Sequence, residues 1–459
     1  MVLESTLAPP RSKPLGPSGR ARSFAAVAYD QRSMLRVARV FVAVGVTLLA
    51  CTRAPVAPAA SAAAATGTPR ASATGPASPP TIHGALVSEN GQTVLRVWGT
   101  PHQMGFAHGA LLRAAILDVV DHYALQVVVP ATLAATGAAL AARGDIAPSL
   151  REEAAGIIAG MHHAGGTHSE VLGRDLVDDD LLALNAMTDL VAIGCSSLSS
   201  WGDGVAVELQ DEPMVVRNLD WTDDPDLLEH QIILVTMPSD PSRQTVVSVG
   251  FAGFIACLSC FNEAGVTALF NMGYGEGTAS IATAIGGFAP ANLLLRDALE
   301  RRDVDGDGSA SADDVQAALT AARHVGSYIV HLVEPMRDAR VAPARVLEVE
   351  SDGLVTRRPQ GPLGDNRLAA TNHLREKSAP TQCSRYQQLE RVARRTERFD
   401  RAALWALGRS VRLPEVVHSI LIEPKDRTLT VWLRQPGEPA DAKSDGVRHP
   451  WSDLVRGRE

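Results

Sequence analysis

The chain has 459 residues, of which 46% are hydrophobic and 20% charged, and its formal net charge at pH 7 is −8. This length allows one large domain or two of ordinary size, with a sizeable apolar core. The acidic balance provides no basic field for a nucleic-acid backbone, which argues against nucleic acid as a partner.

The N-terminal residues are predicted to be a targeting segment. One interpretation of residues 1–33, which carry no usable pattern, is an extension upstream of the true start at Met34. Residues 34–51 contain two arginines, an apolar run from Val40 to Ala50, and then Cys51. A run of about a dozen apolar residues is too short to span a membrane and is typical of a signal peptide.

The signal peptide ends in the sequence Leu-Leu-Ala-Cys, which resembles a bacterial lipobox although Leu49 is atypical at its position. Cys51 is therefore predicted to be lipidated, which would anchor an exported protein to the membrane of the cell envelope. Plain secretion is the alternative. Residues 52–81 are almost wholly Ala, Pro, Ser, Thr and Gly and are predicted to be a disordered tether, so that the fold begins near Ile82.

The predicted elements of the remaining chain change in type at residue 195. Residues 84–99 alternate in polarity around the turn pair Asn90-Gly91, which predicts a β-hairpin, and residues 101–190 have the periodicity of amphipathic helices with breaks. Short β-rich runs follow, up to about residue 271. Further helices are predicted at 288–302, 311–323 and 384–396, and further strands at 328–333, 345–357, 417–423 and 428–433. The sequence thus predicts a helical prosegment, 82–194, and a layered α+β body, 195–459.

Cys195 stands where the pattern changes, directly after Gly194. A thiol is mostly protonated at neutral pH and needs a base or a cation beside it to become a nucleophile. Cutting the chain before the cysteine supplies an α-amine with a pKa of about 7.7–8.0 as that base. A glycine before the cut leaves the bond unhindered and permits a strained backbone. The pattern predicts that Cys195 becomes an N-terminus.

Four segments in this order carry a family resemblance: GCSS with VVRNLDW, NEAGVTALFNMGY, ATNHL and SRYQQLERV. They resemble the N-terminal-nucleophile hydrolases, and among these the isopenicillin N (acyl-CoA:6-aminopenicillanic acid) acyltransferase family, with choloylglycine hydrolases and acid ceramidases as relatives. The resemblance covers about residues 90–435. The chain departs from the family at Val216, where glycine is common, and at Ser196, where threonine is common. The resemblance implies a four-layer αββα sandwich.

The resemblance also implies a role for each matching residue. Cys195 is the nucleophile released by self-cleavage after Gly194, and Arg217 lies against its thiol and amine. Asp220 holds the new amine in place. The remaining roles fall to Asn271, which completes an oxyanion hole, to Asn372 as a second asparagine near the cysteine, and to Arg385 as a supporting arginine.

The predicted function is that of an amidohydrolase or acyltransferase acting on a small linear amide through an acyl-enzyme, without an organic cofactor. Outside the cytoplasm, water is the favoured acyl acceptor. The two pieces of the cleaved precursor are expected to stay associated. Two alternatives remain: an uncleaved, non-catalytic, calcium-dependent surface lipoprotein, and a lipase-like ester hydrolase on the same fold.

The stretch 303–314, DVDGDGSASADD, matches the spacing of a calcium-binding loop between two helical segments. Aspartate stands at its last position, where glutamate is usual. The alternative is a solvated acidic loop. The expected ligand is a structural Ca²⁺ ion, and the candidate ligands are Asp303, Asp305, Asp307, Ser309, Ser311 and Asp314.

The other cysteines and the histidine cluster are assigned structural roles. Cys257 and Cys260 are predicted to be core residues, because positions three apart in a strand face opposite sides. Cys383 is predicted to be buried beside Arg385. With Cys51 lipidated and Cys195 catalytic, three thiols remain, and an odd number argues against a disulfide framework. A metal site at His162, His163 and His168 is disfavoured, because glycines separate them at a helix end.

Overall fold

The computed structural model describes residues 80–187, 194–274, 287–377 and 382–457. The predicted start extension, the signal peptide with Cys51 and nearly all of the tether lie outside the described residues. The residues just before Gly194 also lie outside them.

The described residues form seventeen strands, numbered here along the chain. They are β1 (Gly84–Glu89), β2 (Gln92–Gly99), β3 (His168–Ser169), β4 (Arg174–Asp175), β5 (Gly194–Ser200), β6 (Met214–Asp220), β7 (Gln231–Pro238), β8 (Val246–Phe251), β9 (Ser259–Asn262), β10 (Thr267–Met272), β11 (Tyr328–Val333), β12 (Ala344–Glu350), β13 (Gly353–Arg357), β14 (Arg367–Ala370), β15 (Val416–Glu423), β16 (Thr428–Leu433) and β17 (Val447–His449).

Two large sheets contain all but β3 and β4, which pair with each other. The nine-stranded sheet has the order β1-β2-β7-β8-β9-β10-β11-β12-β13, and the six-stranded sheet the order β14-β5-β6-β15-β16-β17. Neighbours are antiparallel except for β2 and β7, which are parallel.

The longer helices of the described chain are α1 (Pro101–Asp118), α2 (Pro130–Arg143), α3 (Pro148–His163), α4 (Asp178–Ala186), α5 (Ala291–Glu300), α6 (Ala312–Ala321), α7 (Ser384–Arg395) and α8 (Arg401–Arg409). A π-helical segment, Val119–Ala124, extends α1. Short helical segments occur at Leu125–Val127, Gly202–Gly204, Val207–Leu209, Pro225–Leu228, Gly361–Leu363 and Trp451–Leu454.

Three groups of buried side chains define the order of the layers. One group fills the space between the sheets and includes Val235 and Ile420. A second lies on the outer face of the nine-stranded sheet against α1 to α6 and includes Ile157. The third lies on the outer face of the six-stranded sheet and includes Leu389 of α7 and Trp405 of α8. The layers are therefore helix, sheet, sheet, helix, which confirms the predicted four-layer αββα class.

The hairpin predicted at 84–99 forms and is part of the larger sheet. Asn90 and Gly91 have φ angles of 52° and 80°, the left-handed values that a two-residue hairpin turn requires. β2 then pairs in parallel with β7, a strand that follows Cys195 in sequence. The chain before Cys195 thus contributes two strands of the larger sheet as well as α1 to α4, so it is an integral part of the fold.

Buried charges also join the two parts of the chain. Glu153 of α3 lies 3.7 Å from the Nη2 atom of Arg296, which follows Cys195 in sequence, and both side chains are almost fully buried. Arg296 also pairs with Glu300 at 2.9 Å. Burial raises the pKa of Glu153 to about 7, and the positive charge of Arg296 opposes that rise. Removing either Glu153 or Arg296 would leave an uncompensated buried charge. The chain segments before and after Cys195 are therefore expected to associate strongly.

The helices α1 and α3 contact each other backbone to backbone. A Cβ atom added at Gly105 or Gly109 of α1 would lie 2.0 Å from a carbonyl oxygen of α3. One added at Gly156 or Gly160 of α3 would lie 2.4 or 2.1 Å from a carbonyl oxygen of α1. These four glycines are therefore required by close approach, since their neighbours are main-chain atoms that cannot move aside.

No single helix among the described residues is long and apolar enough to cross a membrane. The helical stretches Pro101–Val127 and Pro130–Arg143 reach that length and composition only together, and they meet at a bend of 102°.

Cys257 and Cys260 are fully buried core residues, as predicted, but the structure also joins them in a disulfide, which the count of thiols had argued against. The argument from strand alternation fails here, since β9 begins only at Ser259 and Cys257 lies in the turn before it. The Cα atoms of the pair are 5.8 Å apart, within the range that a disulfide needs. Cys195 and Cys383 are free and buried.

The glycine contact generates a stability prediction. Gly109→Ala should lower the melting temperature by several degrees, because overpacking costs about 1–3 kcal/mol. Gly137→Ala in α2 is the matched control, since its nearest foreign atom would be at 3.4 Å, an ordinary contact, and alanine favours the helix. Thermal unfolding followed by circular dichroism measures both. Equal melting temperatures for the two variants would show that the helices have room to separate.

Candidate active site

The site is built on β5 and β6, adjacent strands of the six-stranded sheet. Their register pairs Gly194 with Asp220 and Cys195 with Leu219. Alternation along the strands sends the side chains of Cys195 and Arg217 inward, toward the larger sheet, while Asp220 faces the loop that follows α8. The nucleophile candidate therefore sits at the end of a strand held on both sides, as the sequence predicts.

Arg217 holds the sulfur of Cys195. Its Nη2 atom donates to Cys195 Sγ at 3.2 Å and to the carbonyl oxygen of Phe270 at 2.5 Å. Its Nη1 atom donates to the carbonyl oxygen of Leu258 at 3.0 Å and to Ser259 Oγ. Both Cys195 and Arg217 have no exposed surface. A guanidinium so placed can stabilise a thiolate through a charge-assisted hydrogen bond.

The thiol of the uncut chain is nevertheless a poor nucleophile. Burial raises the pKa of Cys195 above its usual value, and the negative charge of Asp220 adds to this effect. Arg217, by its charge and its hydrogen bond, and Arg385, by its charge, oppose the rise without cancelling it. The thiol thus needs a base in addition to its guanidinium partner.

A second set of contacts surrounds the backbone nitrogen of Cys195. This N–H donates to Asn372 Oδ1 at 2.9 Å, and the same oxygen accepts from Arg385 Nη2 at 2.7 Å. Arg385 Nη1 donates to Asp220 Oδ2 at 2.7 Å, and Asp220 Oδ1 accepts the backbone N–H of Leu413 at 3.2 Å. Burial raises the pKa of Asp220 to about 6, with Arg385 opposing the rise. An amine generated at Cys195 would find the oxygen of Asn372 already in place as an acceptor.

Asn271 is tied to the same region through its neighbours. Its Nδ2 atom donates to the carbonyl oxygen of Thr371 at 3.1 Å, and the side chain is fully buried. The residue before it binds Arg217 through its carbonyl oxygen, and the residue after it accepts from Asn372 Nδ2 at 2.9 Å. An amide nitrogen carries two hydrogens, so one remains for a developing oxyanion. The structure therefore brings all six predicted catalytic residues into one connected cluster.

The conformation of Gly194 differs from the one expected. It is an ordinary strand residue paired with Asp220 and has no left-handed φ angle, so its role is not to permit strain. A Cβ atom there would lie 3.2 Å from the Cβ of Asp220 and 3.3 Å from a side-chain carbon of Leu413. The glycine instead gives space between these two residues.

Two positions of the cluster were not identified from the sequence as parts of a site. Ser259 binds Arg217 and also lies 2.9 Å from the Nε2 atom of His418. Neither residue carries a local signal, because each is an isolated Ser or His in a short strand and belongs to no recognisable motif. Alternation could have placed each on an inward face, but only the sheet pairing shows that they meet.

Cys383 lies at the start of α7, two residues before Arg385. Burial opposes its ionisation, but hydrogen bonds from His373, the backbone of Tyr386 and Thr371 outweigh burial and lower the pKa of this thiol to about 6. The expectation that Cys383 is buried beside Arg385 is met. Because this acidic thiol lies near the cluster, thiol labelling must be assigned residue by residue to Cys195 or Cys383.

The predicted calcium ligands fall into two sets. Asp303, Asp305 and Asp307 are exposed, and each places a carboxylate oxygen within 4.8 Å of the others. Among the described residues no other group of His, Cys, Asp or Glu has this spacing. Gly306 and Gly308 have φ angles of 86° and 85°, which allow the loop to turn around a common centre. Three carboxylates around one centre fit a hard cation.

The other three predicted ligands have different contacts. Asp314 is buried, and both its oxygens accept backbone N–H groups of the loop. Ser311 Oγ caps α6 by accepting from the N–H of Asp313 at 3.0 Å. Ser309 Oγ donates to the carboxylate of Asp307 at 2.8 Å. These residues shape the loop, and they do not join the group of three.

A narrow apolar cavity of about 60 Å³ lies between the helices before Cys195 and the body. Its aromatic lining includes Tyr123, Trp221 and Phe251, whose rings meet edge to face. One of its lining residues, Trp221, directly follows Asp220 of the cluster in sequence. The cavity offers an apolar chain almost no polar contact.

Several solved structures resemble this fold at low identity. An N-acylethanolamine-hydrolyzing acid amidase ortholog from Caenorhabditis elegans matches at 15% identity and a TM-score of 0.40, over 50% of this chain and 93% of that one. Penicillin V acylase from Agrobacterium tumefaciens matches at 13% identity and a TM-score of 0.35, over 52% of this chain and 83% of that one. A variant of conjugated bile acid hydrolase from Clostridium perfringens matches at 10% identity and a TM-score of 0.28, over 56% of this chain and 96% of that one.

No protein-family model matches the sequence, and no curated protein matches it. Structural likenesses with TM-scores of 0.28–0.40 carry no argument about function, so the function of this chain is argued from its own residues. The resemblance to the isopenicillin N acyltransferase family stays a prediction.

Proposed function

We propose that the chain is a self-cleaving cysteine amidohydrolase that acts on a linear amide through an acyl-enzyme. The observation that carries the proposal is the placement of both reactive groups of one residue. Cys195 Sγ accepts from Arg217 at 3.2 Å, and the backbone nitrogen of Cys195 donates to Asn372 at 2.9 Å. Asp220 lies opposite Gly194, beside the bond to be cut.

Self-cleavage begins with attack of the Cys195 sulfur on the carbonyl carbon of Gly194. The thiol proton passes to the amide nitrogen, the C–N bond breaks, and a thioester joins Gly194 to the sulfur. Water then hydrolyses the thioester. The products are a carboxylate at Gly194 and a cysteine with a free α-amine and a free thiol.

In turnover the α-amine of Cys195 takes the thiol proton, and the thiolate attacks the carbonyl carbon of the substrate amide. The Nδ2 hydrogen of Asn271 stabilises the oxyanion. The proton returns to the leaving amine, and water hydrolyses the thioester with the α-amine again acting as base. An acceptor amine in place of water would make the enzyme an acyltransferase; we favour water for an exported enzyme.

We propose that the pieces 82–194 and 195–459 remain bound to each other after the cut. The parallel pairing of β2 with β7 supports this, as does the buried contact between Glu153 and Arg296. We also propose export with a lipid anchor at Cys51. The disulfide between Cys257 and Cys260 supports an oxidising compartment, since such bonds are rare in the cytosol.

The decisive test is cleavage itself. The chain from residue 52 onward should split into pieces of roughly 15 and 28 kDa, scaled by length from the mass of the whole chain. The larger piece should begin Cys-Ser-Ser-Leu and react with 2-cyanobenzothiazole, a reagent for N-terminal cysteine. Cys195→Ala should stay whole, because it has no sulfur to attack.

Cys383→Ala is the matched control, since it removes the other free thiol and should still be cut. A folded wild-type chain that stays whole would contradict the proposal and favour the non-catalytic lipoprotein. For a chain that is cut, comparing matched amide and ester substrates separates the amidohydrolase from the lipase-like ester hydrolase.

We propose that the apolar cavity receives the acyl part of the substrate. Its lining comes from both parts of the chain and is almost wholly apolar, so a hydrocarbon or aromatic acyl group would be favoured over a polar one. Trp221 connects the lining directly to Asp220 of the cluster.

Filling the cavity should therefore change the preference for acyl length. Val120 lines it and is 3% exposed. Val120→Trp should reduce kcat/KM for a decanoyl anilide by about tenfold or more and spare the acetyl anilide, because lost apolar contacts weaken the long chain selectively. Leu86→Trp, at a 39% exposed position outside the cavity, is the control. Equal losses on both substrates in Val120→Trp would place the acyl group elsewhere.

We propose that the loop 303–314 binds a structural Ca²⁺ ion through the carboxylates of Asp303, Asp305 and Asp307. The convergence of their oxygens supports this ligand set. The ion would neutralise like charges that otherwise repel, and it would fix the connection between α5 and α6.

Calcium should raise the melting temperature of the protein. At a hundredfold excess over its Kd, an ion that binds only the folded state contributes about 2.7 kcal/mol, or about 3 °C in a chain of this size. Scanning calorimetry with calcium or with chelator measures this shift. Asp305→Asn should abolish most of it, whereas Asp240→Asn, at another exposed aspartate that accepts local backbone N–H, should leave it intact. A wild-type melting temperature independent of calcium would contradict the proposed site.

A further inference from the structure

Ser259 lies between two buried side chains: Arg217, which only donates hydrogen bonds, and His418, which can accept one. Its Oγ atom accepts from Arg217 Nη1 and lies 2.9 Å from His418 Nε2. Arg217 and His418 have no exposed surface, and Ser259 is 1% exposed. The three residues lie on β6, β9 and β15, so this contact links the two sheets at the level of the catalytic cluster.

The direction of each hydrogen bond follows from the chemistry of the donors. A guanidinium only donates, so the serine oxygen accepts from Arg217. Burial lowers the pKa of His418 well below its usual value, and the charge of Arg217 adds to the effect. A neutral His418 with its proton on Nδ1 accepts at Nε2, and in this tautomer it receives a hydrogen bond donated by the hydroxyl of Ser259. The hydroxyl is thus oriented with its lone pairs toward Arg217.

The backbone at Ser259 is held by the disulfide that brackets it. Cys257 and Cys260 enclose only Leu258 and Ser259, and both enclosed residues accept hydrogen bonds from Arg217 Nη1. Outside the bridge, the N–H of Cys257 donates to the carbonyl oxygen of Asn292 at 3.0 Å. The disulfide therefore closes a small ring around the two acceptors that fix one end of the guanidinium.

We propose that Ser259, held between the Cys257–Cys260 disulfide and His418, is a positioning residue that keeps the Arg217 guanidinium against the sulfur of Cys195. The inference rests on the proposed function, in which Cys195 reacts as a thiolate. Nη1 is fixed by Ser259 and Leu258, while Nη2 reaches the sulfur and Phe270. Because the guanidinium is planar and rigid, fixing one nitrogen sets the position of the other.

Removing the hydroxyl should lower the thiolate population of Cys195. The charged groups facing the sulfur are Arg217, Asp220 and Arg385, and only Arg217 touches Ser259. Hydrogen bonds to charged groups are worth about a factor of ten or more in an equilibrium. Ser259→Ala should therefore move the midpoint of Cys195 alkylation upward by about one pH unit, with an approximately tenfold lower rate near neutral pH.

The experiment measures iodoacetamide labelling of the mature, cleaved protein between about pH 5 and 10, with each label assigned by peptide mass to Cys195 or Cys383. Ser259→Ala and the double variant Cys257→Ser/Cys260→Ser should both shift the midpoint for Cys195. Ser259→Thr, which retains a hydroxyl, should restore it. Labelling of Cys383 should not change in any of them.

Ser199→Ala is the matched control. Ser199 Oγ lies 2.9 Å from Nε2 of His331, another fully buried histidine between the sheets, but it does not contact Arg217. It should lower the melting temperature as Ser259→Ala does and leave the labelling midpoint unchanged. A purely structural role for Ser259 would give the two variants the same profile.

The outcomes separate this inference from the proposed function. A wild-type chain that is never cut, with no N-terminal cysteine to label, overturns the proposed function. A wild-type chain that is cut, with unchanged midpoints in Ser259→Ala and in the double variant, overturns the positioning role alone. If Ser259→Ala fails to mature, the double variant and Ser259→Thr decide between the same two results.

Discussion

The site depends on a positive charge enclosed between two sheets. Arg217 has no exposed surface, and removing a cation from water is costly unless hydrogen bonds replace its solvation. Here two carbonyl oxygens, one hydroxyl and one sulfur replace it. None of these partners is a carboxylate, so no direct contact neutralises the charge, and it remains directed at the thiol of Cys195. The other residues of the cluster must therefore be placed so that the buried guanidinium keeps these four hydrogen-bond partners.

The four partners of Arg217 come from both sheets, so the two sheets must be held in a fixed position relative to each other. The carbonyl of Phe270 and the residues around Ser259 approach from the larger sheet, whereas Arg217 and Cys195 come from the smaller one. Apolar packing between the sheets is not directional and does not by itself fix their relative position. Polar contacts along β5 are directional. Ser197 Oγ lies 2.8 Å from the Nδ1 atom of His331, which ties β5 to β11.

The sequence predicts what is encoded locally. Asn90-Gly91 marks the hairpin, the change of period at Cys195 marks the first strand of the smaller sheet, and the alternating aspartates of 303–314 mark the acidic loop. Each signal depends on neighbours within a few residues.

What the sequence does not predict depends on contacts between distant segments. The disulfide between Cys257 and Cys260 was missed because the first of them precedes the strand. Ser259 and His418 gain their significance only where β9 and β15 face each other. The glycines of α1 and α3 look like ordinary helix residues until the two backbones approach. Pairing between remote elements carries no local pattern, so these features require the three-dimensional structure.

On the proposed mechanism, the uncut chain is already organised for the product of its own cleavage. The amide N–H of Cys195 occupies the acceptor on Asn372, and the carboxylate of Asp220 is held by Arg385 at 2.7 Å. An α-amine released there would keep the hydrogen bond to Asn372. Its nitrogen would also have a lone pair with which to act as a base beside the sulfur. Burial disfavours the thiolate in the precursor, but it also strengthens the attraction between a thiolate and the charges of Arg217 and the protonated amine, because charges interact more strongly in a low-dielectric site. The same enclosure that keeps the precursor unreactive toward other molecules therefore also strengthens the contacts on which the thiolate depends once the peptide bond is gone.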